Sequence, residues 1–127
     1  MKEVMAIIRM NMINKTKQEL SKEGFPSLTA RKVLGRGKKK VDFSLIQNLV
    51  NQHVMEAPQL AEEVSEQHRL VPKRLLTMIV NDEDVKKVVS IIMEVNSTGS
   101  PGDGKIFVLP IMETIRVRTG ETGTAAI

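Results

Sequence analysis

Cysteine, tryptophan and tyrosine are all missing from this chain, and phenylalanine occurs only three times. Without cysteine there is no disulfide framework, no thiolate-held metal and no cysteine nucleophile, an absence that fits a reducing compartment. The scarcity of aromatic rings leaves little on which bases could stack, which argues against a nucleic-acid module. Long apolar runs are missing too. The stretch VVSIIMEV after Lys87 is interrupted by polar residues and falls far short of a bilayer-spanning helix. The opening MKEVMAIIRMNM sets a glutamate directly after its lysine and has no small-residue cleavage site, so it reads as a strand rather than a signal peptide. No membrane insertion is expected, and the expected location is cytoplasmic.

What is present describes a folded domain. A chain of 127 residues, 41% hydrophobic and 27% charged, suits one core of ordinary size and is too short for two comfortable ones. Nineteen basic against fifteen acidic residues leave a formal charge of +4, a mild excess that favours anionic ligands. With so few rings to stack bases, small phosphates fit that charge better than nucleic acid does.

Periodicity divides the chain into two similar halves. Residues 3–10 alternate and carry Val4, Ile7 and Ile8, the pattern of a strand with a buried face. Asn14 is positioned to cap a helix ending near Lys22, and Gly24 follows where a helix end needs a residue tolerant of positive φ. Residues 28–34 read as a second strand. The order then repeats: a strand over 75–80, then Asn81 or Asp82 as cap of a helix whose Val85, Val88, Val89, Ile92 and Val95 form one apolar stripe. Further strands are expected over 106–109 and 114–117. This is the α+β, ferredoxin-like split βαβ arrangement (βαββαβ), with both helices on one face of an antiparallel sheet. The other face needs a cover, and symmetric association of copies supplies it economically. The methionines at 5, 10, 12, 78 and 93 read as core filling rather than as metal ligands.

Residues 37–70 interrupt the pattern. Phe43, Ile46, Leu49, Val50 and Val54 recur at helical spacing, and Leu60 and Val64 do so after Pro58. Two readings stand open: a helical hairpin packed on its own domain, or a segment that orders against another protein. His53 and His68 lie here without metal-ligand spacing.

The stretch STGSPGDGKIFV, residues 97–108, sets three glycines around an aspartate and leads through Lys105 into a strand. Gly102 and Gly104 allow successive N–H groups to converge on an anion, to which Lys105 adds a full charge. Turning the chain is the commoner use of such a loop. The ligand reading gains from two further cationic elements, GRGKKK at 35–40 and IRVRTGE at 115–121, in which a strand would place Arg116 and Arg118 on one face. A general base for hydrolysis is missing, because an aspartate in GDGK more often fixes a turn than abstracts a proton. Catalysis is therefore not expected.

TGSPGDGKIFV followed by IRVRTGETGTAAI resembles the paired signature of the PII signal-transduction proteins, and MAII, GFPSLTARKVLGRG and VPKRLLTMIV extend the resemblance in order over nearly all of the chain outside 37–70. The resemblance implies one PII-like domain over 1–127, with 37–70 as an elongated effector loop. It also implies a trimer with ATP or ADP in the cleft between neighbouring subunits. By the same resemblance, Gly35, Arg36, Gly37, Gly102, Asp103, Gly104 and Lys105 of one subunit would hold the nucleotide, joined by Thr29, Arg116 and Arg118 of its neighbour. Lys73 would receive the distal carboxylate of 2-oxoglutarate, whose keto-acid end binds a magnesium ion on the ATP phosphates. No metal ligand from the protein is assigned.

Two departures from the family pattern stand out. Its metal-facing glutamine is replaced by Lys39, which cannot ligate magnesium while protonated but can pair with a carboxylate. The absence of tyrosine removes the uridylylation site of enterobacterial members. The long loop and the opening residues look most like the longer of the two PII paralogues in nitrogen-fixation operons of methanogenic archaea. That likeness implies inhibition of the nitrogenase molybdenum–iron component when ammonium is plentiful, relieved by 2-oxoglutarate with ATP, in a homo- or hetero-trimer with the second paralogue. The alternative readings are a PII sensor of an ammonium transporter or metabolic enzyme, a nucleotide-hydrolysing enzyme, and an RNA-binding module.

Overall fold

The computed structural model describes residues 1–37 and 70–127. Most of the expected effector loop, Lys39 included, lies outside the described residues. The chain divides into two compact units, Met1–Val33 with Lys73–Ile127, and Leu34–Pro72. No described helix is long and apolar enough to cross a membrane.

Strand β1 (Lys2–Arg9) leads through a 3-10 turn into helix α1 (Ile13–Lys22), then β2 (Thr29–Gly35), β3 (Val71–Val80), α2 (Val85–Asn96) and β4 (Lys105–Pro110). The sheet order is β2-β3-β1-β4, with β1 antiparallel to both β3 and β4. This is the expected ferredoxin-like α+β fold, a sheet with two helices packed on each other and α2 also on β1.

Alternation decides which side is buried. Val4, Ala6 and Ile8 of β1 join Leu76, Met78 and Val80 of β3 on the helix side, where Leu20, Val88 and Ile92 close the core. Each of these side chains larger than alanine contributes about 1.5–3 kcal/mol when removed from water. Helix α1 ends where Gly24 takes φ +91°, with the N–H of Phe25 donating to Leu20 O at 2.9 Å and that of Gly24 to Ser21 O at 3.1 Å. This paired closure satisfies two terminal carbonyls and brings Phe25 onto the core.

Three local expectations are corrected. Asn14 does not cap α1, because the 3-10 turn Met10–Met12 moves the helix start to Ile13 and Met12 occupies the cap position. Neither Asn81 nor Asp82 caps α2 directly, since the 3-10 turn Asp82–Asp84 intervenes and leaves Asp84 at the cap. Residues 114–117 form no strand of the sheet. Gly120, at φ +71°, turns the chain back so that Ile115 makes a single bridge to Thr122, and Arg116 N–H donates to Glu121 O at 2.9 Å. Pairing with the segment that follows immediately takes the place of pairing with the sheet.

Candidate anion-binding site

Register gathers three cations on the open face of the sheet. Arg9 lies opposite Lys73, and Ile7 lies opposite both Leu75 and Lys105. Side chains two apart on a strand share a face, so Arg9, Lys73 and Lys105 all stand on the side away from the helices, at one end of the sheet. Arg9 was not among the residues expected from sequence. Its only signal there was parity with Ile7, and parity does not say which residue of another strand lies opposite.

The glycine-rich loop folds over this end. Asp103 accepts from Thr98 Oγ1 at 2.5 Å, Thr98 N at 2.8 Å, Gly99 N at 3.1 Å and Arg9 Nη1 at 2.5 Å. Arg9 Nη2 also donates to Pro101 O at 3.1 Å, and Lys73 Nζ to Gly102 O at 2.8 Å. The Thr98 hydroxyl above all, then its N–H and the Arg9 guanidinium, hold the Asp103 carboxyl well below the usual carboxylate range.

Glycine is required on both sides of Asp103. At Gly104, with φ +115°, an added Cβ would stand 1.8 Å from Ile7 O, inside the backbone of β1. At Gly102, with φ +98°, a Cβ would crowd Arg9 Nη2 at 3.3 Å and Lys73 Nζ at 3.5 Å. Among the described residues, the N–H groups of Gly102, Asp103 and Gly104 have no protein acceptor. Unclaimed amides beside Lys73 and an exposed Lys105 make a local excess of donors and positive charge, suited to phosphate or carboxylate oxygens. A groove of about 400 Å³ with largely apolar walls runs past Val89, Ile92, Met93 and Val108 and reaches Asp103, Gly104 and Lys105 at the loop.

The remaining expected residues are placed elsewhere. Gly35 ends β2, and Arg36 and Gly37 follow it exposed, in the second unit. Thr29 begins β2, at the opposite edge of the sheet from β4. Three strand spacings, roughly 14 Å, separate those edges, so Thr29 and Lys105 of one chain do not share a small ligand. Arg116 is held within its own hairpin, Nη1 on Glu121 Oε2 at 2.6 Å and Nη2 on Ala125 O at 3.0 Å. Arg118 is exposed in the turn. The two arginines therefore do not share a strand face. No group of three or more acidic or histidine side chains suited to a metal occurs among the described residues.

Comparison with known proteins follows the same outline. The family model described as nitrogen regulatory protein P-II matches residues 1–121. The chain is 50% identical to the nitrogen fixation nifHD region GlnB-like protein 2 of Methanothermococcus thermolithotrophicus, over 100% of this chain and 98% of that protein. It is 35% identical to the GlnB-like protein 1 of the same region and organism, over 97% and 99% of the two chains. Among solved structures it is similar to Arabidopsis thaliana PII bound to citrate, with TM-score 0.72, 31% identity, and coverage of 99% of this chain and 91% of that one.

Proposed function

The chain belongs to the nitrogen regulatory protein P-II family, and on that premise we propose that it is a trimeric, cytoplasmic sensor that binds ATP or ADP together with 2-oxoglutarate and acts on nitrogenase. Members of the family are regulators, so the protein is a nitrogen regulator rather than an enzyme. The observation that carries the ligand reading is the convergence of Lys73, Lys105 and the amides of Gly102 to Gly104 at one end of the open sheet face.

The residues fit an anionic nucleotide and a dicarboxylate. Backbone N–H groups and Lys105 suit phosphate oxygens, and Lys73 exchanges its bond to the neutral Gly102 O for an ion pair with a carboxylate. Gly35, Arg36, Gly37 and Lys39 would complete the set at the base of the loop. Thr29 and Arg118 would come from a neighbouring copy, as would Arg116 once released from Glu121. With no acidic cluster among the described residues, magnesium would be held chiefly by oxygens of the bound ligands, and when bound it neutralises phosphate charge. The open sheet face supplies the association surface. Met5, Ile7, Ile79, Phe107 and Leu109 share it by register, and Phe107 is 46% exposed, whereas Leu75 on the same side is already buried at 8%.

Nitrogenase as target is supported by the names of the relatives, which place them in nitrogen-fixation regions. Control would run through residues 37–70: ligands that bind two loop states unequally by about 1–3 kcal/mol change partner affinity roughly 5- to 150-fold. Titration calorimetry tests the reading. ATP with magnesium binds, 2-oxoglutarate binds only in its presence, and Lys73→Ala abolishes metabolite uptake. Lys39→Ala weakens that uptake. Failure of the wild-type protein to take up ATP overturns the proposal, and undiminished 2-oxoglutarate binding by Lys73→Ala removes the role of Lys73. Capture of the nitrogenase molybdenum–iron component from nitrogen-fixing cells tests the target, and capture of an ammonium transporter or a metabolic enzyme in its place moves it.

A further inference from the structure

Asp103 sits between the two glycines whose amides form the anion site, yet its carboxylate has nothing left to offer a ligand. A carboxylate has about four lone-pair positions. Here Oδ1 accepts from Thr98 Oγ1 and Arg9 Nη1, and Oδ2 accepts from the N–H groups of Thr98 and Gly99. All four are taken by the protein. Asp103 is thereby excluded as a magnesium ligand and as a general base, although it occupies the centre of the loop.

We propose that Asp103 is a positioning residue, acting through Thr98, Gly99 and Arg9 to hold the loop against β1 so that the amides of Gly102 to Gly104 and the Lys105 ammonium meet one anion. The inference rests on the anion-site reading above and adds to it the part that keeps the site assembled. Two observations lead to it. Gly102 and Gly104 both hold positive φ, and glycine loses more conformational freedom on ordering than any other residue. A loop with free glycines on either side of its central residue would spend ligand affinity on ordering, whereas one tied before the ligand arrives would not. The tie is also long-range. Arg9 reaches Asp103 across 94 positions of chain, and its second nitrogen holds Pro101 O, so one guanidinium joins the end of β1 to both sides of Gly102.

The oxygen of Thr98 is the other half of the brace. Its hydroxyl donates to Asp103 Oδ1 and accepts from Ser100 N–H at 3.3 Å, so removing it loosens the loop without touching Asp103. Serine preserves both bonds and valine neither, which separates the hydroxyl from the shape of the side chain.

The test is calorimetric titration of ATP with magnesium into the full-length protein and its Asp103→Asn, Thr98→Val, Thr98→Ser and Asp103→Asn/Thr98→Val variants. Hydrogen exchange at the Thr98 and Gly99 amides, which Asp103 Oδ2 holds, is measured without ligand. Asp103→Asn and Thr98→Val are each expected to bind about 10- to 100-fold more weakly and to exchange those amides faster, with Thr98→Ser close to wild type. The double variant is expected to be weaker than the worse single one by far less than the product of the two losses, because both remove one brace. Wild-type affinity in Asp103→Asn overturns the inference while leaving the nucleotide site standing. Equal losses in Thr98→Ser and Thr98→Val, or fully multiplicative losses in the double variant, also overturn it. A wild-type protein that takes up no ATP removes the site and the brace together.

Discussion

On the helix side of the sheet, Val4, Ala6, Ile8 and Leu76 are 0–1% exposed, whereas on the opposite side Phe107 and Leu109 remain 46% and 37% exposed. Phe107 and Leu109 also stand on the edge strand β4, where Val108 of the helix side is 46% exposed as well. The side chains are of similar kind, so composition does not separate the two faces. Helices α1 and α2 do. Each strand presents alternate residues to either side, and one chain has helices for only one of them. The uncovered side is also the side that carries Arg9, Lys73 and Lys105 at one end. An apolar centre thus adjoins a cationic end, so that in the function proposed above association between copies and binding of small anions would share one surface.

The comparison can be broken from either side. Ile92→Ala should have the largest effect on the fold, costing about 2–5 kcal/mol by the cavity it leaves beneath the sheet, measured by denaturant unfolding. A loss below about 1 kcal/mol would mean that the helix side is not the core. Phe107→Asp acts on the open face and should dissociate the assembly, lowering the mass seen by light scattering to that of one chain while far-ultraviolet circular dichroism is retained. A variant that keeps the wild-type mass would show that copies associate elsewhere. The smallest effect concerns acid. Because the folded-state pKa of Asp103 is depressed, its contribution is complete above the group's ordinary value of 3.8 and is lost as pH falls from there toward the folded value. The stability difference between wild type and Asp103→Asn should therefore be constant at neutral pH and shrink below that value, and a difference that grows with acidity would contradict the brace.

Local structure was the legible part. The 3.6-residue stripe of Val88 and Ile92, Val4 and Ile8 on the buried face of an alternating strand, and Gly24 after a helix end each express a preference acting over a few residues, and each is found where expected, whereas Ile7, named with Val4 and Ile8, stands on the opposite face. The errors share a cause. Residues 114–117 carry a strand-like pattern, but a strand exists only with a partner, and Gly120 supplies that partner from within the same hairpin. Arg116 and Arg118 were placed on one face by a period that applies only inside a strand. Asn14 and Asn81 have capping chemistry, but short 3-10 turns shift where each helix begins.

The anion site divides in the same way. Gly102, Asp103, Gly104 and Lys105 are contiguous, and their potential as an anion loop was readable as a string of residue types. Arg9 and Lys73 join them only because β1 and β3 pair in one register, and slipping β3 by one residue against β1 would send Lys73 to the helix side and leave Arg9 behind. By itself the sequence determined the elements, the apolar stripe of each and the glycine conformations of the loop, because these follow from interactions between near neighbours in the chain. The tertiary structure alone decided which cations stand together, that Asp103 turns inward to Arg9 and Thr98, and which sheet face stays uncovered, because those contacts join residues far apart in the chain, Arg9 and Asp103 by 94 positions.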